Sequence, residues 1–166
     1  MLLAGEENPG LDSDGLDFSS TDHRHKNRRS TMTAAKSAIA ASDFSARNER
    51  ITRDFFKAWE HKDVDAIVAA FAPEGVYHNI PFAPVKGQAQ IRKAVEKFVA
   101  AGDDMTFDLL RVVVAGDTVV TERVDGWTHK GERRSLPVMG ILEFDAAGKL
   151  TGWREYFDVK TFQGAA

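Results

Sequence analysis

The feature that most constrains the fold is a run of four long, alternating segments in the C-terminal half of the chain. They span residues 105–114, 118–128, 134–144 and 149–159, and short turns containing Gly or Asp join them. Alternation of apolar and polar residues over such lengths indicates strands with one buried face. Short turns between successive strands predict an antiparallel meander. The apolar face of such a sheet needs a covering layer.

Three segments upstream have the apolar spacing of helices and predict that layer. The first helix is predicted to begin with Ser45 as its cap, and the second to be capped by Asp63 and closed by Pro73. A short strand at 75–80 precedes the third helix, at 88–101. The order helix, helix, strand, helix and four strands predicts an α+β fold. In it a cone-shaped, curved antiparallel or mixed sheet wraps around three N-terminal helices.

Composition divides the chain into a tail and a domain. Residues 1–45 are rich in Gly, Asp and Ser, with a basic cluster at 23–29. They cannot bury enough apolar surface to offset the entropy of ordering, so we expect a disordered N-terminal tail followed by one domain at 46–166.

Charge and hydropathy restrict the partners and the compartment. The net charge of −3 does not favour nucleic acid, and no apolar run approaches the roughly 18 residues that span a bilayer. The N-terminus lacks the pattern of a secretory signal. We therefore expect a cytoplasmic protein that binds neither nucleic acid nor membrane. The absence of cysteine excludes disulfides and thiolate metal sites.

Polar residues recur at strand positions that predict the inner, apolar face. Tyr77 and Asn79 share one face of the first strand, and Arg123 and Asp125 share one face of a later strand. Glu155 has an aromatic residue two positions away on either side. A carboxylate in such a place is costly to bury unless it is paired or protonated, so an ionic partner is expected close by.

Each of these residues also has an ordinary structural interpretation. Arg123 and Asp125 could form a surface pair along a strand, and Glu155 could lie on the outer face. The functional interpretation is stronger for the five residues together than for each alone, because all of them face the same side of the sheet if the strands share the predicted register. His78 lies on the opposite face of its strand and His129 adjoins a turn, so both are interpreted as surface histidines.

Four motifs in this chain resemble the limonene-1,2-epoxide hydrolase family. In chain order they are VYHNIP (76–81), ERVD (122–125), PVMGILEF (137–144) and GKLTGWREYFD (148–158). The resemblance covers about residues 51–162. It implies the cone-shaped fold shared with nuclear transport factor 2 and ketosteroid isomerase, and a homodimer. It also implies one-step hydrolysis of an epoxide to a diol without cofactor, metal or covalent intermediate.

The resemblance further implies a role for each polar residue. Tyr77 and Asn79 would hold a water, Glu155 would accept its proton, and protonated Asp125 would donate a proton to the epoxide oxygen. Arg123 would lie between the two carboxylates. The family has Asp where this chain has Glu155. Because a misplacement of about 1 Å can cost roughly a hundredfold in rate, this departure suggests a shifted water, a different substrate or lost activity.

An apolar pocket lining is expected to surround these groups and to suit a small lipophilic epoxide of terpenoid, fatty or steroid-like type. The predicted lining residues are Trp59, Phe82, Leu136, Val138, Trp153 and Phe157, with Phe56, Phe71 and Phe98 shared between the pocket and the core.

Two other functions remain open from the sequence. One is an isomerase or polyketide cyclase, with Asp125 or Glu155 as the base and Tyr77 as an oxyanion donor. The other is a non-catalytic module that binds a lipophilic ligand in the pocket or a partner on the sheet. Both are compatible with the predicted fold, since one fold hosts many functions.

Overall fold

A computed structural model of the protein describes residues 43–164. Residues 43–45 are helical, so the predicted boundary between tail and domain falls inside a helix. The rest of the predicted tail lies outside the described residues. No helix within 43–164 is long and apolar enough to cross a membrane.

The described chain contains helices and strands in the predicted α+β order, with two short additions, β2 and α4. In chain order the elements are α1 (43–60 in the described part), α2 (Val64–Ala70), β1 (Phe71–Asn79), β2 (Val85–Lys86), α3 (Gln88–Ala101), β3 (Asp103–Ala115), β4 (Thr118–His129), β5 (Glu132–Phe144), β6 (Leu150–Tyr156) and α4 (Val159–Gln163).

The strands form one curved, mixed sheet in the order β2-β1-β6-β5-β4-β3. β3 to β6 pair antiparallel with their sequence neighbours, which confirms the predicted meander. β1 pairs parallel with β6 and antiparallel with β2. The parallel pair brings the first strand beside the last one, and this contact positions the functional site.

Several helix ends follow the sequence signals, and two do not. The Asp63 carboxylate caps α2 by accepting from the Ala66 N–H at 2.9 Å, and α3 ends at Gly102 as predicted. Ser45 is not a cap, because the helix already includes residues 43 and 44. Pro73 does not close α2, which ends at Ala70.

Pro73 lies instead within β1, where the strand pairing is irregular. The pairing of β1 with β6 shifts register between Phe71 and Val76, so Pro73 interrupts no regular ladder there. At the other end of the chain, the predicted last strand stops at Tyr156. The Asp158 carboxylate then accepts from the Thr161 N–H at 2.8 Å and starts α4, which the sequence analysis missed.

The core lies between the helices and the inner face of the sheet, and it is largely aromatic. Phe55, Phe56 and Trp59 of α1 meet Trp153 of β6, with ring centroids 4.9, 6.0 and 5.7 Å from that indole. Tyr77 stacks on Trp153 at 4.5 Å. These rigid contacts hold the inner face of β1 and β6 in place.

Candidate active site

The five predicted polar residues come together on the inner face of three strands. Asn79 of β1 is the register partner of Glu155 of β6, and Glu155 in turn pairs with Gly140 of β5. Arg123 and Asp125 follow on β4, the next strand in the sheet. Period-two alternation therefore predicted the shared face correctly.

Arg123 is the centre of the site and contacts both carboxylates. Its Nε donates to Asp125 Oδ1 at 2.7 Å, and its Nη2 donates to Asp125 Oδ2 at 3.0 Å and also to Glu155 Oε1. The Nη1 group donates to the Thr121 hydroxyl at 3.3 Å. The planar guanidinium thus fixes the positions of two acids at once.

The site is almost entirely removed from solvent. The side chain of Arg123 is 0% exposed, that of Glu155 is 7% exposed and that of Asp125 is 14% exposed. The Arg123 guanidinium carbon lies 4.7 Å from the centroid of the Phe56 ring and 5.9 Å from that of Phe107, which are cation–π distances. Aromatic rings therefore cover the only cation of the triad.

A glycine on β5, which has no side chain, makes room for this arrangement. Gly140 lies in register with both Thr121 and Glu155. A Cβ at Gly140 would lie 2.6 Å from Arg123 Nη1 and 2.7 Å from Thr121 Oγ1. The guanidinium consequently occupies the space that a side chain at 140 would take.

Burial changes the titration of both acids. It raises the pKa of Glu155 to about 7, against the opposing effect of Arg123 and with a further increase from the charge of Asp125. Burial also raises the pKa of Asp125, which Arg123 opposes. For Arg123, burial alone would lower the pKa, but the two carboxylates reverse the shift and raise it.

Charge balance indicates how many protons the triad holds. With both acids ionised, the buried group of Arg123, Asp125 and Glu155 has a net charge of −1. One proton on either acid makes it neutral, which is the state that an apolar environment favours. The two acids therefore titrate as one unit that retains a single proton near neutral pH.

Tyr77 and Asn79 form a neutral polar pair beside the triad. The Asn79 amide donates to the Tyr77 hydroxyl at 3.0 Å. Burial, with the charge of Glu155, raises the pKa of Tyr77 well above its ordinary value. Tyr77 thus stays protonated, and the pair can orient a ligand by hydrogen bonds without exchanging a proton with it.

The inner face encloses two adjoining chambers that share Tyr77 and Asn79 in their walls. The inner chamber has a volume of about 30 Å³ and is also lined by Asp125 and Glu155. This volume is enough for one water molecule. The outer chamber has a volume of about 570 Å³, within the range of small-molecule sites.

The predicted apolar lining residues divide between these chambers. Phe82 lines the outer chamber, whereas the inner chamber is lined by Trp59, Leu136, Val138, Trp153 and Phe157. Phe56 and Phe71 are buried in the core and line neither chamber. His129 is partly exposed, but it also lines the outer chamber, so its interpretation as an ordinary surface residue was incomplete.

Four features of the site escaped the sequence analysis. Thr121 and Gly140 could have been found, because Thr121 shares the face of Arg123 and Gly140 is its neighbour on the next strand. Trp59 and Trp153 were predicted in the pocket, but each also buries an indole N–H, and the N–H of Trp153 acts on the Glu155 carboxylate, whose pKa it lowers.

Metal ligation has little support in the described chain. Within residues 43–164, no three His, Cys, Asp or Glu side chains are grouped as a metal site requires.

The chain is thus a small α+β protein in which a buried arginine lies between two carboxylic acids. The SnoaL-like domain family matches residues 52–153, and the chain belongs to this family. The epoxide hydrolase EphG of Mycobacterium tuberculosis (strain ATCC 25618 / H37Rv) is 30% identical over 105 residues, which are 63% of this chain and 69% of that protein. This relationship confirms the resemblance to limonene-1,2-epoxide hydrolases seen in the motifs.

Solved structures agree with this assignment. The structure of an M. tuberculosis LEH-like epoxide hydrolase matches with a TM-score of 0.65 and 28% identity, over 72% of this chain and 90% of that chain. The epoxide hydrolase/cyclase-like enzyme SalBIII, described in pyran ring formation in the polyether salinomycin, matches with a TM-score of 0.64 over 70% of this chain and 94% of that one. At 18% identity, this second likeness concerns the fold alone.

Proposed function

We propose that this protein is an epoxide hydrolase that adds water to a lipophilic epoxide and releases a vicinal diol. The observation that supports this best is the buried Arg123 held between Asp125 and Glu155, beside a chamber of one water's size. Opening an epoxide with water needs a base and an acid at the same moment. A carboxylate pair that keeps one proton supplies both.

The order of the strands in the sheet favours Glu155 as the base. The groups that would hold the water, Tyr77 and Asn79, lie on β1, which is directly paired with the strand of Glu155. Asp125 is two strands further along the sheet. The shared proton then resides on Asp125 in the reactive form, and Glu155 is the ionised partner.

The proposed reaction needs no covalent intermediate. The water oxygen attacks one epoxide carbon while the C–O bond to that carbon breaks. Glu155 takes a proton from the water, and Asp125 gives its proton to the oxygen that leaves the carbon. Proton exchange between the two acids, directly or through solvent, restores the starting state. A general base and a general acid each typically contribute a factor of roughly 10² to 10⁴ in rate.

We propose a homodimer as the assembled state. On the outer face of the sheet, Met139 and Tyr156 are register partners and are 47% and 43% exposed. Leu110 and Val113 of β3 are each 59% exposed. Several exposed large apolar side chains on one sheet are typical of a protein interface, and a second copy of the chain would present the same surface.

Isotope labelling tests the proposed reaction. The protein is incubated with a panel of lipophilic epoxides in ¹⁸O-labelled water, in single-turnover conditions, and the diols are analysed by mass spectrometry. We expect one ¹⁸O atom in the diol from the first turnover, because water attacks directly. Unlabelled oxygen in first-turnover diol would indicate attack by a carboxylate and would contradict the mechanism.

The acid is tested by substitution. Asp125→Asn cannot donate a carboxylic proton, so we expect at least a hundredfold loss in kcat. Circular dichroism and thermal unfolding verify that this variant folds. If no epoxide gives a diol and hydrogen exchanges next to a carbonyl instead, the isomerase or cyclase alternative is favoured.

A further inference from the structure

The outer chamber combines apolar walls with charged residues of one sign. Its walls include Phe82, Phe98, Met105, Trp127 and Phe162. The charged and titratable side chains on its lining, apart from the Tyr77 hydroxyl, are Lys97, His129 and Arg134. No Asp or Glu of residues 43–164 lines this chamber, although the chain as a whole has a net charge of −3.

These basic residues come from different elements, and two of them have defined neighbours. Lys97 is exposed on α3. The ring nitrogen Nδ1 of His129 lies 2.7 Å from the carbonyl oxygen of Ala101, at the end of the same helix. Arg134 Nη2 donates to Glu132 at 2.7 Å, but the Glu132 side chain is 72% exposed and lies outside the lining.

The proposed hydrolysis does not require these cations. A neutral epoxide reacts where the two chambers meet, next to the acids Asp125 and Glu155 that line the inner one. The two chambers therefore differ in charge, with acids at the inner end and bases in the outer part. A ligand with an anionic end would be oriented by this difference, because its anion is attracted to the bases of the outer chamber, whereas Arg123 at the inner end is already paired with two acids.

We propose that the substrate is an amphipathic epoxide with a carboxylate at the end remote from the epoxide ring, of the long-chain epoxy fatty acid type. This inference rests on the proposed epoxide hydrolysis. Arg134 offers a planar guanidinium that suits a carboxylate, and Lys97 adds a flexible second cation. The apolar walls between the two ends contact the alkyl chain, and the carboxylate fixes which end enters first.

The test compares cis-9,10-epoxyoctadecanoic acid with its methyl ester, below their aggregation concentrations. We expect a kcat/KM roughly tenfold higher for the acid, the effect of two partly exposed charge contacts. In the double variant Lys97→Gln/Arg134→Gln the acid-to-ester ratio should fall toward one. Lys93→Gln is the matched control, because Lys93 is exposed on the same helix but lies outside the chamber lining, and its ratio should stay at the wild-type value.

Binding measurements separate this inference from the proposed reaction. Quenching of tryptophan fluorescence by octadecanoic acid and by its methyl ester reports binding without turnover, and Trp127 lies in the chamber wall. An acid preference that depends on Lys97 and Arg134 supports the anion site even if no epoxide is hydrolysed. Hydrolysis with equal rates on acid and ester, in wild type and double variant alike, overturns the inference and leaves the proposed function standing.

Discussion

At the scale of single residues, the shared proton decides what the site can do at a given pH. Burial raises the pKa of Glu155 to about 7, and the acid pair loses its shared proton as the pH rises through that value. Without that proton, Asp125 cannot donate to the epoxide oxygen. We therefore expect kcat/KM to fall about tenfold per pH unit above an apparent pKa near 7. A pH–rate profile with the preferred epoxide measures this, and a rate that does not fall above the apparent pKa would exclude catalysis by a shared proton.

The same pKa shift affects stability. The folded state keeps a proton on Glu155 between its ordinary pKa of 4.5 and about 7, where the unfolded chain has lost it. The contribution of Glu155 to stability is therefore complete below about pH 4.5 and decreases as pH rises to about 7, by roughly 3 kcal/mol. Glu155→Gln should lack this part of the pH dependence, because glutamine has no titrating proton. Urea unfolding at pH 5 and pH 8 compares the two proteins, and parallel changes in both would refute the assignment.

Glu155 also occupies the position at which the resemblance to limonene-1,2-epoxide hydrolases implies an aspartate. In this chain the longer side chain reaches Arg123 directly. Glu155→Asp would withdraw the carboxylate by one methylene from both Arg123 and the inner chamber. We expect kcat to fall by roughly 10- to 100-fold, since catalysis depends on placement at this scale. Single-turnover rates on the preferred epoxide measure the effect, and a rate above wild type would show that Glu155 is a handicap rather than an adaptation.

At the scale of elements, the site depends on a glycine in a neighbouring strand. Gly140→Ala would place a Cβ 2.6 Å from Arg123 Nη1. Arg123 is wholly buried and bound on two sides, so it has little room to move. We expect a loss of at least tenfold in kcat and about 1–3 kcal/mol in stability.

Gly152→Ala is the matched control for this substitution. A Cβ at Gly152 would meet Glu143 Oε2 at 2.6 Å, which is the end of a partly exposed and flexible side chain. That contact can relax, so activity should remain near the wild-type value. Equal activity in both glycine variants would show that the space beside Arg123 is not needed. Chemical denaturation and kcat of each variant are measured together.

The elements also show how far sequence patterns extend. Period-two alternation identified the face shared by Arg123, Asp125 and Glu155, and turn residues located the meander, because both depend on local geometry. The parallel pairing of β1 with β6 depends on contacts between distant parts of the chain, so no local pattern predicts it. β2 has two residues and α4 has five, which is too short for periodicity. The division of the pocket into two chambers depends on the same long-range packing, so the sequence did not predict it either.

At the scale of the whole molecule, the outer face of the sheet carries exposed apolar side chains. One row across four strands joins Arg111, Glu122, Met139 and Tyr156, and the next row contains Val113, Val120 and Ile141. Within residues 43–164 the helices pack on the inner face, so these apolar side chains face away from the core. A second copy of the chain, packed sheet against sheet, would bury them. The outer face lies opposite the site, so dimer formation and access to the chambers do not compete.

Substitution on this face tests the proposed dimer. Met139→Glu adds a charge at the centre of the outer face, and twofold symmetry places it in the interface twice. We expect wild type to be a dimer at tens of micromolar and Met139→Glu to be mainly monomeric, by sedimentation or light scattering. Val113→Glu on β3 should weaken the dimer independently of the contact between Met139 and Tyr156. A wild type that is monomeric at these concentrations would contradict sheet-to-sheet association. So would two glutamate variants that remain dimeric and keep the native circular dichroism spectrum. Either result would assign the outer face to another partner.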